Sequence, residues 1–273
     1  MKAPERNIFQ TIAYYIGLYG VHLSNYGKRL VEYRADTFVA MFGGMAMQAG
    51  FLIFINTIYQ RVPELEGYNR TELIFLFGFV TLGRELSRVF LDSPFRLSFI
   101  VRRGLLDTFI IRPSSTLFQL IALDVQVVAS GGAIVGLVVM ISSLNQMALN
   151  VGAGMIFWLV VAVLCNMLIQ FAILMSLSTL SFKIPEVSSI LLPVCWIYEF
   201  NRYPIGIFPA VIRGFLTFVL PFAVSAYYPV AYFLRPDLYP WVPVAVPCLT
   251  AALVGLSLAM WKWGMKHYSS SNA

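Results

Sequence analysis

Charge is scarce in this sequence. Only 12% of the 273 residues are charged, against about 25% in a typical soluble domain. That shortfall excludes a soluble globular shell. With 59% hydrophobic residues and a mean hydropathy of +0.77, the composition is that of a polytopic membrane protein. Histidine is limited to His22 and His267, and no HExxH pair, Gly-x-Ser-x-Gly elbow or acid cluster with metal-ligand spacing occurs. Hydrolytic and metal-dependent chemistry therefore lacks its residues, and no catalytic, cofactor-binding or metal-binding residue is expected. Cys165, Cys195 and Cys248 stand singly in apolar stretches, where cysteine behaves as a small hydrophobe and says nothing of redox compartment. No Gly-x-x-x-x-Gly-Lys-Ser/Thr loop is present to cradle nucleotide phosphates, so any ATP-driven work needs another chain. No repeat links the two halves, which weighs against a secondary transporter built from paired repeats. The first 33 residues show no short apolar core followed by a small-residue cleavage site, so the amino terminus is expected to be retained. The net charge of +6 sits at the ends of apolar runs, as membrane orientation requires, and does not point to nucleic acid.

What is present reads as an all-α fold with six transmembrane helices. Residues 1–36 are expected to form an amino-terminal interfacial amphipathic helix, with Ile8, Ile12, Tyr15, Tyr19, Leu23, Tyr26 and Leu30 recurring every three or four positions. Residues 37–263 form the transmembrane domain and 264–273 a tail. The spans are placed at 37–59, 71–91, 114–143, 155–180, 187–207 and 241–261, each long enough for a hydrocarbon core of about 30 Å. Asn69 precedes the second span and is read as its cap. Within the third, Gly132 and Gly136 form a small-residue spacing suited to close helix contact. Residues 210–234 are apolar but hold Arg213, Pro221 and Pro229, and eight of the 14 prolines fall between Pro204 and Pro247. This stretch is read as an external re-entrant hairpin broken near Pro221. In this topology Arg61, Arg70, Arg202, Arg213 and Arg235 lie outside and the rest of the 19 basic residues inside, which places both termini in the cytoplasm.

The ionisable groups inside apolar runs are the candidate polar sites. Arg84, Glu85 and Arg88 interrupt the second span, and such groups must pair, snorkel or face a cavity. Asp124 in the third span is a candidate partner for Arg84 or Arg88. Glu199 and Arg202 are three apart, hence on one helix face, and are expected to pair near the outer end of the fifth span, bracing the hairpin. The aromatic residues, at 15%, are assigned to core packing and interface belts ahead of a substrate path.

Between the second and third spans, Ser93 to Pro113 is basic and partly amphipathic. Pro94 follows Asp92 and Ser93 and suits a helix start; Gly104 suits its end. The resulting rod, 94–104, is about 15 Å long at 1.5 Å per residue. It can lie along a membrane surface and is too charged to cross. By itself the charge requires only orientation and contact with anionic headgroups.

The order of an amphipathic amino-terminal helix, Tyr33-Arg34-Ala35-Asp36, the run Ile100 to Asp107 (IVRRGLLD) with Arg112-Pro113, and Arg202-Tyr203-Pro204 with Ile207-Phe208-Pro209 resembles the ATP-binding cassette type-two exporter permeases, in particular a bacterial branch with an IRRGxLD/RP intracellular loop. The resemblance covers nearly the whole chain. It implies a permease subunit of an exporter moving a hydrophobic or amphiphilic substrate such as a lipid or drug outward across a bacterial inner membrane. It also implies two separate ATPase subunits that bind ATP and magnesium, and a second permease, identical or paralogous. The rod becomes a cytoplasmic coupling helix, with Phe95, Arg96, Phe99, Arg102, Arg103, Gly104, Asp107 and Arg112 as ATPase-coupling residues. Glu199, Arg202, Tyr203, Pro204, Phe208, Pro209 and Pro221 become the external gate. The alternatives are an ion-gradient-driven secondary transporter and a permease-like scaffold that signals without transport.

Overall fold

A long apolar run can satisfy its backbone in hydrocarbon only by coiling, and the chain does so throughout. The computed structural model describes residues 8–268 except 33, 62–63, 124, 148, 150 and 185. The expectations that involve residues 1–7, Tyr33, Asp124, Pro185 and the end of the tail from 269 lie outside the described residues.

Helix α1 (Ile8–Glu32) leads into α2 (Arg34–Arg61), and a two-residue antiparallel ribbon, β1 (Glu64–Leu65) and β2 (Tyr68–Asn69), follows. Its turn puts Glu66 and Gly67 at φ of 56° and 73°, both positive as a tight hairpin of this hand requires. Helix α3 (Arg70–Leu91) opens on a full capping box. The Asn69 side chain accepts from the Glu72 N–H at 2.9 Å while the Asn69 N–H donates to the Glu72 carboxylate at 2.8 Å.

After α3 come α4 (Ser93–Arg102), α5 (Leu106–Ile110) and α6 (Thr116–Ala122), then the long helices α7 (Val127–Gln146) and α8 (Ala153–Ser178). Helix α9 (Ser188–Tyr198) ends in a 3-10 turn, Glu199–Arg202. The hairpin region consists of α10 (Ala210–Gly214), a π turn Phe215–Val219, α11 (Phe222–Ser225) and α12 (Tyr227–Leu234), and α13 (Val242–Lys266) completes the chain.

Four of these segments are long and apolar enough to cross a membrane: Arg34–Ile58, Val127–Gln146, Ala153–Phe182 and Val242–Lys266. Two spans drawn from the sequence have a different form. The run 114–143 is two helices, α6 and α7, because Gln126 donates its N–H to the Val89 carbonyl of α3 at 3.2 Å and so leaves the helical ladder. The run 187–207 holds only the short α9. Beyond it Tyr203 and Phe208 are extended, as residues before Pro204 and Pro209 must be, and the chain proceeds in single turns.

Helix α3 is the pillar, buried at most positions between Leu73 and Val89 and packed against α7, α8 and α2. Its contact with α7 is backbone to backbone. A Cβ on Gly78 would stand 2.7 Å from the Met140 nitrogen, and one on Gly136 the same distance from the Leu82 nitrogen. One core joins α3, α7, α8, α9 and α12. A second, smaller core lies at the α4 end, where Leu97, Ile100, Leu106, Phe109 and Leu120 meet Phe171 and Met175 of α8 and Trp261 of α13. By contrast α2 leaves Phe38, Val39, Phe42, Met47 and Phe54 exposed.

Candidate functional site

Two constellations stand out, one on the surface and one buried. The surface one is α4 with the loop that follows. Asp92 sits at its N-cap, and the expected start at Pro94 is the helix's second residue. Its end is set by Gly104, at φ 64°, where the chain leaves in the left-handed region that glycine adopts without strain. One face, Pro94, Leu97, Ser98 and Ile100, is buried, and burying each large apolar side chain contributes about 1.5–3 kcal/mol. The opposite face presents Arg96, Phe99, Arg102 and Arg103. The Arg103 guanidinium lies 4.6 Å over the Phe99 ring. Arg102 stands 3.4 Å from Glu186 ahead of α9, an exposed pair that adds little stability. Arg112 covers Phe109 at 5.7 Å, and Ile111 beside it is exposed. Phe95 is half-buried at the root of the rod. Asp107 faces the tail, where burial and the nearby Asp107 carboxylate push the Tyr268 phenol above its usual range.

The buried constellation is a chain of alternating charge through the bundle. Arg88 pairs with Glu85 at 3.1 Å, and Gln48 of α2 donates its amide N–H to Glu85 at 3.0 Å. The Gln48 carbonyl in turn accepts from Arg202 Nη2 at 3.0 Å, Arg202 Nε lies 2.8 Å from Glu199, and Glu199 pairs with Arg84. Arg202 is 1% exposed and Glu85 2%. Charges so placed persist only when paired. Where Arg202 Nη1 finds no hydrogen bond among the described residues, the Phe51 and Phe77 rings, 4.5 and 4.9 Å from the guanidinium, supply cation–π contact.

The structure thus brings Glu199 and Arg202 together, as expected of an i,i+3 pair. Helix α9 begins beside α4 and has only 11 residues, so the turn that carries the pair lies about 16 Å along it. There it braces α2 and α3 rather than the hairpin. Arg84 and Arg88 pair with Glu199 and Glu85; the expected partnership with Asp124 lies outside the described residues. Of the other gate residues, Tyr203 and Pro204 form the extended link, Phe208 packs on Phe200 with ring centroids 5.5 Å apart, Pro209 opens α10, and Pro221 separates the π turn from α11. Gln48 is a network member that the sequence reading leaves out, and Glu85 enters there only as an interruption of the second span. The available signal was Gln48 itself, a long polar side chain midway along a charge-free run.

Comparison with curated proteins gives no match, and comparison with solved structures gives none either. A family model described as ABC-2 family transporter protein matches residues 45–272, from α2 through the ion network and the rod to the carboxyl-terminal helix. The chain, rich in membrane-crossing helices and without a nucleotide-cradling loop, belongs to the ABC-2 transporter family as its multi-pass membrane component.

Proposed function

We propose that this chain is the permease subunit of an ATP-binding cassette exporter, of the bacterial branch that the Arg102-Arg103-Gly104 loop resembles. Separate ATPase subunits, which bind ATP and magnesium, drive it, and a second permease, identical or paralogous, completes the pathway. In this reading the chain crosses an inner membrane six times, with α3 and the α9 region as the two charged or broken crossings. Both termini lie in the cytoplasm, α1 lies in the interface and residues 210–234 form an external re-entrant hairpin. The substrate is hydrophobic or amphiphilic and moves outward.

The observation that carries this is the two-faced rod. Arg96, Phe99 and Arg103 face away from the protein, an aromatic and arginine pairing typical of interface anchors. Leu97 and Ile100 on the other face enter a core shared with α8 and α13. A push on the outer face is therefore delivered to two long helices. The test is co-purification with an ATP-binding cassette ATPase from the same cells. Phe99→Ala with Arg103→Glu should abolish the complex and leave the fold intact; a complex that survives both changes, or a rod labelled from the exterior, refutes the reading.

The buried acid Glu85 and the half-buried Glu199 are the observation that favours an ion-gradient-driven transporter. Each is held by arginine, and Arg202, Arg84 and Arg88 outnumber them. The network accordingly fits a structural brace better than a proton relay. Substrate movement that stops on ATP depletion and continues under an ionophore separates the two.

A further inference from the structure

Between α3, the root of α4, α8 and α9 lies a cavity of about 290 Å³ whose wall includes Arg84, Ser87, Arg88, Gln170, Cys195 and Trp196. We infer that this cavity binds the headgroup of an inner-leaflet phospholipid, one that carries both a phosphate and a hydrogen-bond donor. The choice of leaflet rests on the cytoplasmic placement of α4 proposed above, whereas occupancy of the cavity is independent of transport.

Three features lead to it. Among the described residues, Arg84 and Arg88 each give one N–H to a glutamate of the ion network. A guanidinium has five, and its planar fork suits phosphate oxygens. Gln170 of α8 is 3% exposed, and its Oε1 makes no hydrogen bond among the described residues. A buried carbonyl without a donor costs free energy, so an occupant offering an O–H or N–H is favoured at that point. The third feature is the rim. Leu192 and Trp196 of α9 are 50% and 69% exposed, so the cavity opens beside an apolar flank.

Size and depth select the kind of ligand. At about 290 Å³ the cavity falls just below the usual range of about 300–1,000 Å³ for whole small-molecule sites. It holds a headgroup, and the chains of an amphiphile would lie outside along Leu192 and Trp196. Its floor reaches from Asp92, at the end of α3, to Arg84, about 12 Å along that helix. A headgroup bound there sits below the level of its neighbours in the leaflet, which only a site with fixed cationic donors can stabilise. Two common headgroups share the required chemistry: phosphoglycerol, with hydroxyl donors, and phosphoethanolamine, with an ammonium. Phosphocholine carries the phosphate but no donor for Gln170.

Cys195 in the cavity wall supplies the probe, and Cys248, exposed on α13, the internal reference. The full chain is placed in nanodiscs of phosphatidylcholine alone, or of phosphatidylcholine with either phosphatidylglycerol or phosphatidylethanolamine. N-ethylmaleimide labelling is then quantified at both cysteines by mass spectrometry. The expected result is a Cys195 to Cys248 labelling ratio lowered about threefold by at least one donor-bearing lipid, the protection given when free ligand is about twice its dissociation constant. Gln170→Met and Arg88→Gln, in which the neighbouring packing is kept, should each restore the ratio seen in phosphatidylcholine. A ratio equal in all three compositions overturns the proposal, and so does protection undiminished in both variants. Should either variant fail to fold, the composition series on the unaltered chain decides alone.

Discussion

Replacing Glu199 by glutamine tests whether the buried network is held together by charge. The carboxylate is shared by Arg84 and Arg202, with Arg202 Nε at 2.8 Å. The variant keeps the shape and one carbonyl acceptor but leaves three arginines facing Glu85 alone. Each lost attraction is about 4 kcal/mol at 4 Å and an effective dielectric of 20. The cost of burying Arg202 is unchanged, since its side chain is 2% exposed in either case. The retained hydrogen bond, and the partners that arginines find in a membrane-embedded unfolded state, offset part of the loss. The net destabilisation expected is about 2–4 kcal/mol, in line with other broken buried pairs, or about 30-fold to 1,000-fold in the unfolding equilibrium. Reversible unfolding in mixed micelles, followed by circular dichroism and by alkylation of the buried Cys165, measures it. Adding Arg202→Met to Glu199→Gln should recover at least about 1 kcal/mol relative to additivity, because the stranded cation is removed. A Glu199→Gln protein within about 0.5 kcal/mol of the parent, or a strictly additive pair, would refute the reasoning.

Three further outcomes follow from the packing. Gly136→Leu must push α7 off α3, since even a Cβ would meet the Leu82 nitrogen at 2.7 Å; overpacking of about 1–3 kcal/mol or more is expected in the same micelle assay. Asn69→Ala removes the capping box of α3 and should cost about 1 kcal/mol, with Asn69→Asp close to neutral. Reversing the exposed Arg102 and Glu186 pair to Glu and Arg should change stability by less than about 1 kcal/mol, so any loss of ATPase stimulation in that double variant reports on docking and not on folding.

The features legible in the sequence were those written in local chemistry. Charge-free length marked α2, α8 and α13. Asn69 marked the start of α3, and Pro94 with Gly104 bracketed α4 to within two residues. What stayed illegible depended on partners distant along the chain. Nothing between Leu123 and Gln126 breaks a helix by propensity; the break exists because the Val89 carbonyl captures Gln126. Glu199 and Arg202 were recognisable as an i,i+3 pair, but their partners on α2 and α3 were not. The third member, Arg84, is 115 residues away. Gln48 looked like one polar residue in a run of apolar ones, and its role became visible only when Glu85 and Arg202 were placed on either side of it.

The contact of Gly78 with Met140 and of Gly136 with Leu82 has a mechanical corollary. Where main chain lies on main chain there are no rotamers to yield, so α3 and α7 can neither slide nor tilt independently and must travel as one stiff strut. A rearrangement that spares this strut has joints to bend at outside it: the break at Gln126, the turn after α9, and the articulation at Pro221.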